Sequence, residues 1–457
     1  MKQKNNVWIK FYNEGKFSES ITFDEVEVKI NEMRDYLKEN NIHSGDVVIV
    51  KEPNSIKTVI IYLTLMKSEI VCVPISLLIS DNKLGFIKKN SGAKAIFEKG
   101  NLKPLKNKDA KKLRGIATII YTSGTTGSPK GVCLSCDNWI QNSKSLIKHH
   151  RFSKKTILLT PLPLFHVNAH GLAMMTSYLA GFKLILLDKM QDNLLKVVDK
   201  EKVTVSSLVP ILFERLLEKN PKWKPQTYFK YFVTAAAPLK GNLLRRIKES
   251  WRAYVAQGYG LSESTNFSCT LPNNLSEKKY NQIMFPHPSI GIALPGVKIR
   301  LKEKNKQGIG ELQISSKSNS VKYLAKQKRK NSWLNTGDLG YFKTFEGKKY
   351  YYITGRKKEF INRGGEKLSP VELEEELFNF GLRGEFAIIS VPDEKYGEEV
   401  GLVATKKINK KILKNVPKYR RPKRIIVLKE LPYTPSGKIQ RKKLSNLVTN
   451  GQKNTSN

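Results

Sequence analysis

The 457-residue sequence is poor in cysteine, in acidic residues and in long apolar runs. Four scattered cysteines are too few for a disulfide framework. The longest apolar stretch, Thr58–Met66, ends at Lys67 and is too short to cross a membrane. The amino terminus lacks the apolar core of a signal peptide. These absences predict a folded cytoplasmic protein with no membrane span.

Acidic residues are outnumbered, with 40 Asp and Glu against 81 Lys and Arg, for a formal net charge of +41. The basic residues are spread along the chain, with only short runs such as 103–114 and 322–330, and these are not interleaved with stacking aromatics. Nucleic-acid binding is therefore not predicted as the main function. The excess charge indicates either a lysine-rich solvated surface or a field that attracts anionic substrates.

Metal-binding patterns are also sparse. Cys133 and Cys136 form a lone C-x-x-C, and a structural zinc site needs a second ligand pair at suitable spacing. His166 and His170 are four residues apart and could share a metal, but no third ligand is evident. The sequence predicts no zinc centre.

What is present is an alternation of apolar strands with helical patterns, which predicts helix-covered, mostly parallel sheets in an α/β fold. Strand Val47–Val50, helix Ile56–Leu65 and strand Ile70–Pro74 illustrate it. The pattern changes near Gly355 to a compact α+β unit with a helix opened by Ser369 and Pro370. We expect a large amino-terminal domain at 1–354 and a small carboxyl-terminal domain at 355–450.

The most informative segment is an apolar strand at 116–121 that runs into a glycine- and hydroxyl-rich loop. Glycines let the backbone point N–H groups at an anion, hydroxyls add donors, and a lysine adds charge. The spacing is not that of a Walker A loop, and a serine- and glycine-rich surface loop is the alternative. The candidate phosphate-binding residues are Thr122, Ser123, Gly124, Thr125, Thr126, Gly127 and Lys130. Ser135 is predicted to cap the next helix.

Segment 121–132 (YTSGTTGSPKGV) resembles the signature of the adenylate-forming superfamily, which contains acyl-CoA synthetases, luciferases and peptide-synthetase adenylation domains. The resemblance extends from about Thr22 to Leu444. It implies ATP, Mg²⁺ and CoA as cofactors, a carboxylic acid as substrate, and a small domain that rotates about a hinge.

Further motifs follow in the order that the superfamily has them. Segment 161–167 implies that His166 lies near the acid. Segment 234–239 resembles the small-residue turn beside adenine, here formed by Ala235, Ala236 and Ala237 where glycines are common.

Segment 257–263 resembles the next motif of the superfamily. There the resemblance implies that Tyr259 stacks on adenine beside Gly260. It also implies that Ser262 touches the α-phosphate and that Glu263 holds Mg²⁺.

The remaining motifs lie in the last third of the chain. The resemblance implies that Asp338 is the carboxylate that binds the ribose in the superfamily. The resemblance also implies that Arg356 assists at the ribose or phosphate, and that Lys358 is the pivot. The segment with Gly364 and Gly365 is similar to the loop that admits the pantetheine arm. Lys438, within Pro-Ser-Gly-Lys, corresponds to the catalytic lysine of adenylation.

Together these motifs predict an acyl-CoA synthetase that forms an acyl-adenylate and then a thioester with CoA. One alternative transfers the acyl group to a carrier-protein phosphopantetheine, and another is a non-catalytic nucleotide- or nucleic-acid-binding protein. The acid itself is not readable. We expect its pocket to be walled by residues 166–171, 234–237 and 258–266.

Overall fold

The computed structural model describes residues 6–107, 110–122, 129–324, 326, 332–433 and 439–453. Within these residues, no helix combines the length and apolar character that crossing a membrane would require.

The α-helices of the described residues, in chain order, are α1 (Phe23–Glu39), α2 (Ile56–Lys67), α3 (Asp81–Ser91), α4 (Cys136–His150), α5 (Thr176–Ala180), α6 (Leu194–Lys200), α7 (Pro210–Lys219), α8 (Gly241–Trp251), α9 (Glu277–Met284), α10 (Pro370–Asn379) and α11 (Arg441–Lys453). A π-helix at Ala169–Met175 precedes α5, and short 3₁₀ turns occupy Ser262–Ser264 and Lys410–Asn415.

The strands of the same residues are β1 (Val7–Asn13), β2 (Lys16–Thr22), β3 (Val47–Lys51), β4 (Val71–Pro74), β5 (Ala95–Glu98), β6 (Asn101–Pro104), β7 (Thr118–Thr122), β8 (Lys130–Leu134), β9 (Ile157–Thr160), β10 (Lys183–Leu187), β11 (Val205–Leu208), β12 (Tyr231–Thr234), β13 (Val255–Gly260), β14 (Phe267–Thr270), β15 (Ile292–Ala293), β16 (Lys298–Lys302), β17 (Gly310–Ser315), β18 (Lys322–Tyr323), β19 (Leu334–Phe345), β20 (Lys348–Arg356), β21 (Ile361–Arg363), β22 (Glu366–Leu368), β23 (Phe386–Asp393), β24 (Gly397–Ala404) and β25 (Arg424–Val427).

Two sheets with parallel centres confirm the predicted α/β class. One has the order β15-β14-β13-β12-β11-β9-β10-β1-β2, and the other β18-β8-β7-β4-β3-β5-β6. The pairs of β9, β10, β11, β12 and β13 along the first sheet are parallel. Their strands are buried on both faces, which explains why they appear in the sequence as continuous apolar runs.

A third sheet, β16-β17-β19-β20, is antiparallel throughout and was not predicted. The alternating burial of β16 shows that only one of its faces is covered, so no continuous apolar run marks it. Its long β19–β20 hairpin turns at Glu346 and Gly347, which both have positive φ.

The carboxyl-terminal sheet, β22-β21-β24-β23 with β25 beside β24, forms the predicted α+β unit. Helix α10 begins after Ser369, whose hydroxyl accepts a hydrogen bond from the Glu372 N–H, with Pro370 in the first turn. The third sheet ends at Arg356 and this sheet begins at Ile361, so the change of sheet lies close to the expected boundary at 354/355. That boundary, as a division into domains, stays a prediction.

Candidate active site

The ends of the glycine- and hydroxyl-rich loop are held by an antiparallel pair of strands. Thr122 ends β7 and Lys130 begins β8, and the two are cross-strand partners. Residues 123–128 lie outside the described residues, so the placement of Ser123, Gly124, Thr125, Thr126 and Gly127 stays a prediction. Ser135 caps α4 by accepting a hydrogen bond from the Asn138 N–H, as predicted.

The small-residue turn follows β12 directly. Ala235 is buried, and Ala236 adopts a φ of 72°. This left-handed conformation is costly for a residue with a β-carbon and explains why glycine is common there in the superfamily. The sequence could not show whether the alanines fit. The structure shows that Ala236 fits with a strained backbone.

Gly260, at the end of β13, lies in close contact with the backbone of the turn that follows it. A β-carbon at Gly260 would lie 1.7 Å from the carbonyl oxygen of Asn266, so no side chain fits there. Just beyond, Thr265 has a φ of 71°, which is rare for a β-branched residue. Such strain often occurs at functional sites. Here it lies in the segment that carries Ser262 and Glu263.

Asp338 is the buried centre of a polar cluster. Its Oδ2 accepts a hydrogen bond of 2.6 Å from the Tyr259 hydroxyl, and its Oδ1 one of 3.1 Å from the Arg356 Nε. Asp338 is only 4% exposed. Asp338 and Arg356 are cross-strand partners on β19 and β20, which fixes their approach. The structure thus brings together three predicted site residues from distant parts of the chain.

Tyr259 acts as a donor in this cluster. Burial, together with the nearby Asp338 carboxylate, raises the pKa of Tyr259 well above its usual value. The hydroxyl therefore stays protonated and donates to Asp338. Each carboxylate oxygen keeps a further lone pair, so Asp338 retains capacity to accept hydrogen bonds from a ligand diol.

Glu263 lies on the 3₁₀ turn after β13. Its Oε1 accepts a hydrogen bond of 2.9 Å from the hydroxyl of Tyr323, and its carbonyl oxygen accepts one from the Ser320 N–H. Sequence reasoning missed Tyr323, because only the pairing of β18 with β8 brings residue 323 to this turn. The carboxylate retains lone pairs for a cation.

The described residues contain no cluster of three or more His, Cys, Asp and Glu side chains that could hold a metal. Cys133 is buried in β8, and burial raises the pKa of its thiol to about 11, which disfavours the thiolate that metal binding needs. Burial lowers the pKa of His170 to about 4, and its ring packs 4.4 Å from that of Trp139. His166 lies at the turn that leads into the π-helix, with its carbonyl bonded to the His170 N–H.

The predicted pantetheine loop is a tight β-hairpin. Gly364 and Gly365 join β21 to β22 with φ values of 57° and 91°. Lys358 is exposed between β20 and β21. Lys438 lies outside the described residues. Tyr433 and Ile439, which precede and follow it in the chain, form an isolated antiparallel β-bridge.

A comparison of the sequence with models of known protein families shows to which family this chain belongs. The family model described as "AMP-binding enzyme" matches residues 2–324. The chain belongs to this family. A curated relative, the 2-succinylbenzoate–CoA ligase of Lactococcus lactis, is 31% identical over 345 residues, which cover 72% of this chain and 70% of the relative.

This AMP-binding enzyme is also similar to the oxalate–CoA ligase of Arabidopsis thaliana, with 27% identity covering 88% of each chain. Among solved structures, it resembles the o-succinylbenzoate CoA synthetase of Bacillus subtilis in complex with the acyl-adenylate intermediate. The TM-score is 0.82 at 22% identity, covering 96% of this chain and 95% of that one. ATP-bound MatB from Rhodopseudomonas palustris has a TM-score of 0.82 at 22% identity, with 98% and 96% covered. These structures confirm the fold.

Proposed function

We propose that this AMP-binding enzyme is an acid–CoA ligase that activates a carboxylic acid with ATP through an acyl-adenylate. The observation that carries the proposal is the Tyr259–Asp338–Arg356 cluster around the buried Asp338, which lies where β13 meets the β19–β20 hairpin. Family membership supports it, as do relatives named for CoA ligase activity.

In the proposed complex, the nucleoside binds at this cluster. Asp338 accepts the ribose hydroxyls, Tyr259 stacks on the adenine, and the turn with Ala235, Ala236 and Ala237 approaches the base edge. Arg356, held by Asp338, assists at the ribose or α-phosphate. Gly260 allows this close packing because nothing larger fits against Asn266.

The phosphates belong at the loop after β7. The backbone and hydroxyls of 122–127 would bind the β- and γ-phosphates, with Lys130 as a nearby cation and Ser262 at the α-phosphate. The single carboxylate of Glu263 suits Mg²⁺, which is typically held by one or two carboxylates together with substrate phosphates. Mg²⁺ bound there would neutralise charge on the departing pyrophosphate.

In the first step, a carboxylate oxygen attacks the α-phosphorus. The new bond joins the acyl oxygen to phosphorus, and the bond to pyrophosphate breaks. Lys438 would stabilise the negative charge that builds up between the two anions, and His166 would lie beside the acid.

In the second step, the CoA thiolate attacks the acyl carbon and AMP leaves. We propose that the unit after residue 354 rotates about Lys358, which withdraws Lys438 and brings the Gly364–Gly365 hairpin to the thiol. Exposure of Lys358 and the change of sheet between Arg356 and Ile361 support a pivot at this place.

Pyrophosphate exchange tests the proposal directly. With ATP, Mg²⁺ and a panel of acids, we expect acid-dependent incorporation of labelled pyrophosphate into ATP. ATP binding without exchange for any acid would contradict an adenylating enzyme. Lys438→Ala should abolish exchange yet still convert a supplied acyl-adenylate and CoA to the thioester. Equal loss of both steps would contradict the division of labour.

The acceptor is assigned to CoA because the relatives named above are CoA ligases. AMP release that requires a carrier protein in place of CoA would favour the phosphopantetheine alternative. The cytoplasmic location and the absence of a nucleic-acid partner stay predictions from the sequence.

A further inference from the structure

The segment 318–324 connects the strand after the glycine- and hydroxyl-rich loop to the turn that carries Glu263. Its residue Tyr323 lies on β18, which pairs antiparallel with β8, the strand that begins at Lys130. On the other side, the Ser320 N–H donates a hydrogen bond of 2.7 Å to the carbonyl oxygen of Glu263. One short segment therefore contacts both parts of the chain that are proposed to surround the phosphates of ATP.

Contacts of the backbone already hold this segment against the turn. Besides the bond from Ser320, the hydroxyl of the fully buried Thr265 donates one of 2.5 Å to the carbonyl oxygen of Ser318. These two hydrogen bonds do not involve the side chain of Tyr323. The further bond that Tyr323 makes to Glu263 therefore calls for a role other than joining the segment to the turn.

Tyr323 contacts the carboxylate itself. Its hydroxyl donates a hydrogen bond of 2.9 Å to Oε1 of Glu263, and its partly buried ring packs against the large hydrophobic core. Within the described part of the chain, the other oxygen, Oε2, accepts no hydrogen bond, which leaves it available to a cation. A glutamate side chain otherwise rotates about several bonds, and a bond to a packed ring restricts that rotation.

The orientation of a carboxylate matters when it binds Mg²⁺. The ion demands near-ideal octahedral geometry and takes few protein ligands, with substrate phosphates and water completing its shell. Groups that hydrogen-bond to a metal ligand orient it, and their loss typically lowers metal affinity or activity by about 10- to 100-fold. Because Glu263 is the single carboxylate of the proposed site, its orientation directly affects how tightly the ion is bound.

We infer that Tyr323 is a positioning residue for Mg²⁺, which fixes the Glu263 carboxylate through Oε1 and leaves Oε2 for the ion. This role rests on the proposed function, since Glu263 is a metal ligand only in a protein that binds ATP with Mg²⁺. Tyr323 acts through Glu263 and is assigned no contact with ATP or with the acid.

Calorimetric binding of ATP, measured without acid so that no adenylate forms, tests this role. Tyr323→Phe keeps the ring and removes only the donor. We expect its Kd for ATP with excess Mg²⁺ to rise roughly tenfold, whereas its Kd for ATP in EDTA should match that of the wild type. A purely structural disturbance would instead weaken both kinds of binding alike.

The matched control is Tyr12→Phe. The Tyr12 hydroxyl donates a hydrogen bond of 2.6 Å to Oε1 of Glu201, so the substitution removes the same kind of contact. Tyr12 lies on β1, and four strands of the first sheet separate β1 from β13. We expect the Kd of this variant for ATP to be unchanged, both with Mg²⁺ and in EDTA.

A double variant tests whether Tyr323 acts through the carboxylate. Glu263→Gln should itself weaken the binding of ATP with Mg²⁺, because it removes the charged oxygen ligand of the ion. Adding Tyr323→Phe should cause no further loss, since the group that the tyrosine orients is already gone. An additional loss as large as that of Tyr323→Phe alone would show that Tyr323 acts independently of Glu263 and would refute its positioning role.

Two results for the single variant would also overturn this role. In one, Tyr323→Phe binds ATP with Mg²⁺ as tightly as the wild type does. In the other, its affinity falls equally in EDTA, which would assign Tyr323 to the nucleotide site as a whole. The proposed function fails by a different result, the absence of acid-dependent pyrophosphate exchange, which these binding measurements do not use.

Discussion

At the scale of single residues, the candidate site combines strained backbone with tightly packed glycine. Ala236 and Thr265 both have positive φ, and Gly260 is pressed against the Asn266 carbonyl. These residues lie in the two segments that flank the Tyr259–Asp338–Arg356 cluster. Strain of this kind persists only when the surrounding structure enforces it, which it does here through buried strands on either side.

The strain at Ala236 has a measurable consequence. Replacing Ala236 with glycine removes the penalty of a β-carbon at positive φ, which is about 1–2 kcal/mol. It also raises the conformational entropy of the unfolded chain, which destabilises the folded state by about 0.4–1 kcal/mol. We expect the free energy of unfolding in urea to rise by up to ~1 kcal/mol. Ala180→Gly, at the end of α5, should lower it by a similar amount. A destabilised Ala236→Gly would show that the left-handed backbone carries no net cost.

The charge of Asp338 should govern nucleotide affinity. Asp338→Asn keeps the shape of the side chain but replaces a charge-assisted acceptor of Tyr259 and Arg356 with a neutral amide. We expect the Kd for ATP, measured by calorimetry, to rise roughly tenfold to a hundredfold. The exposed carboxylate of Glu303 offers a control, and Glu303→Gln should bind ATP normally. Equal affinity in Asp338→Asn would remove Asp338 from the nucleotide site.

At the scale of elements, the sequence predicted the buried parallel strands and their helices best. The structure confirms helix α2 and strands β3 and β4, each within two residues of its predicted bounds. Continuous apolar runs and helix caps are local signals, so a single sequence carries them.

Elements that depend on distant pairing were harder to predict. The antiparallel sheet of β16, β17, β19 and β20 has an exposed face along β16, so β16 shows no continuous apolar run in the sequence. Helix α11 was missed because the chain there is rich in lysine, although Leu444 and Val448 are buried against the carboxyl-terminal sheet at helical spacing. The hydrogen bond from Tyr323 to Glu263 joins residues that are 60 positions apart, so no local sequence pattern indicates it.

The hairpin of Gly364 and Gly365 allows a test of the proposed thiol loop. Gly365 has a φ of 91°, and within the described part of the chain no atom lies within 4 Å of the point that a β-carbon would occupy, so Gly365→Ala acts through the backbone alone. We expect thioester formation from a supplied acyl-adenylate to fall about tenfold while pyrophosphate exchange persists. Gly308→Ala, also at positive φ in open space, is the matched control and should affect neither step.

At the scale of the whole molecule, charged side chains of α10 contact residues that precede the expected domain boundary at 354/355. The buried Glu374 carboxylate lies 3.3 Å from Lys240 Nζ, just before α8, and 2.9 Å from Arg441 Nη2, at the start of α11. Glu374 therefore joins the start of α11, three residues after Lys438 in the chain, to the residue that precedes α8.

A second contact of α10, between His287 and Glu375, is sensitive to pH. The hydrogen bond of 2.6 Å to Glu375 raises the pKa of His287, against the opposing effect of burial, with Glu372 adding to the rise and Lys343 opposing it. A histidine with a raised folded-state pKa contributes stability that is full below its unfolded pKa and lost as pH rises through the folded value. The contact should therefore loosen towards alkaline pH.

Tryptic cleavage at the exposed residues 356–358 reports this loosening. With trypsin normalised at each pH on a peptide substrate, we expect cleavage there to increase between about pH 6 and about pH 9. His287→Gln should be cleaved readily at every pH, because glutamine cannot take up the proton that strengthens the contact. His43→Gln changes an exposed histidine of the large unit and should retain the wild-type pH profile. If His287→Gln kept that profile as well, a group other than His287 would be responsible for the pH dependence.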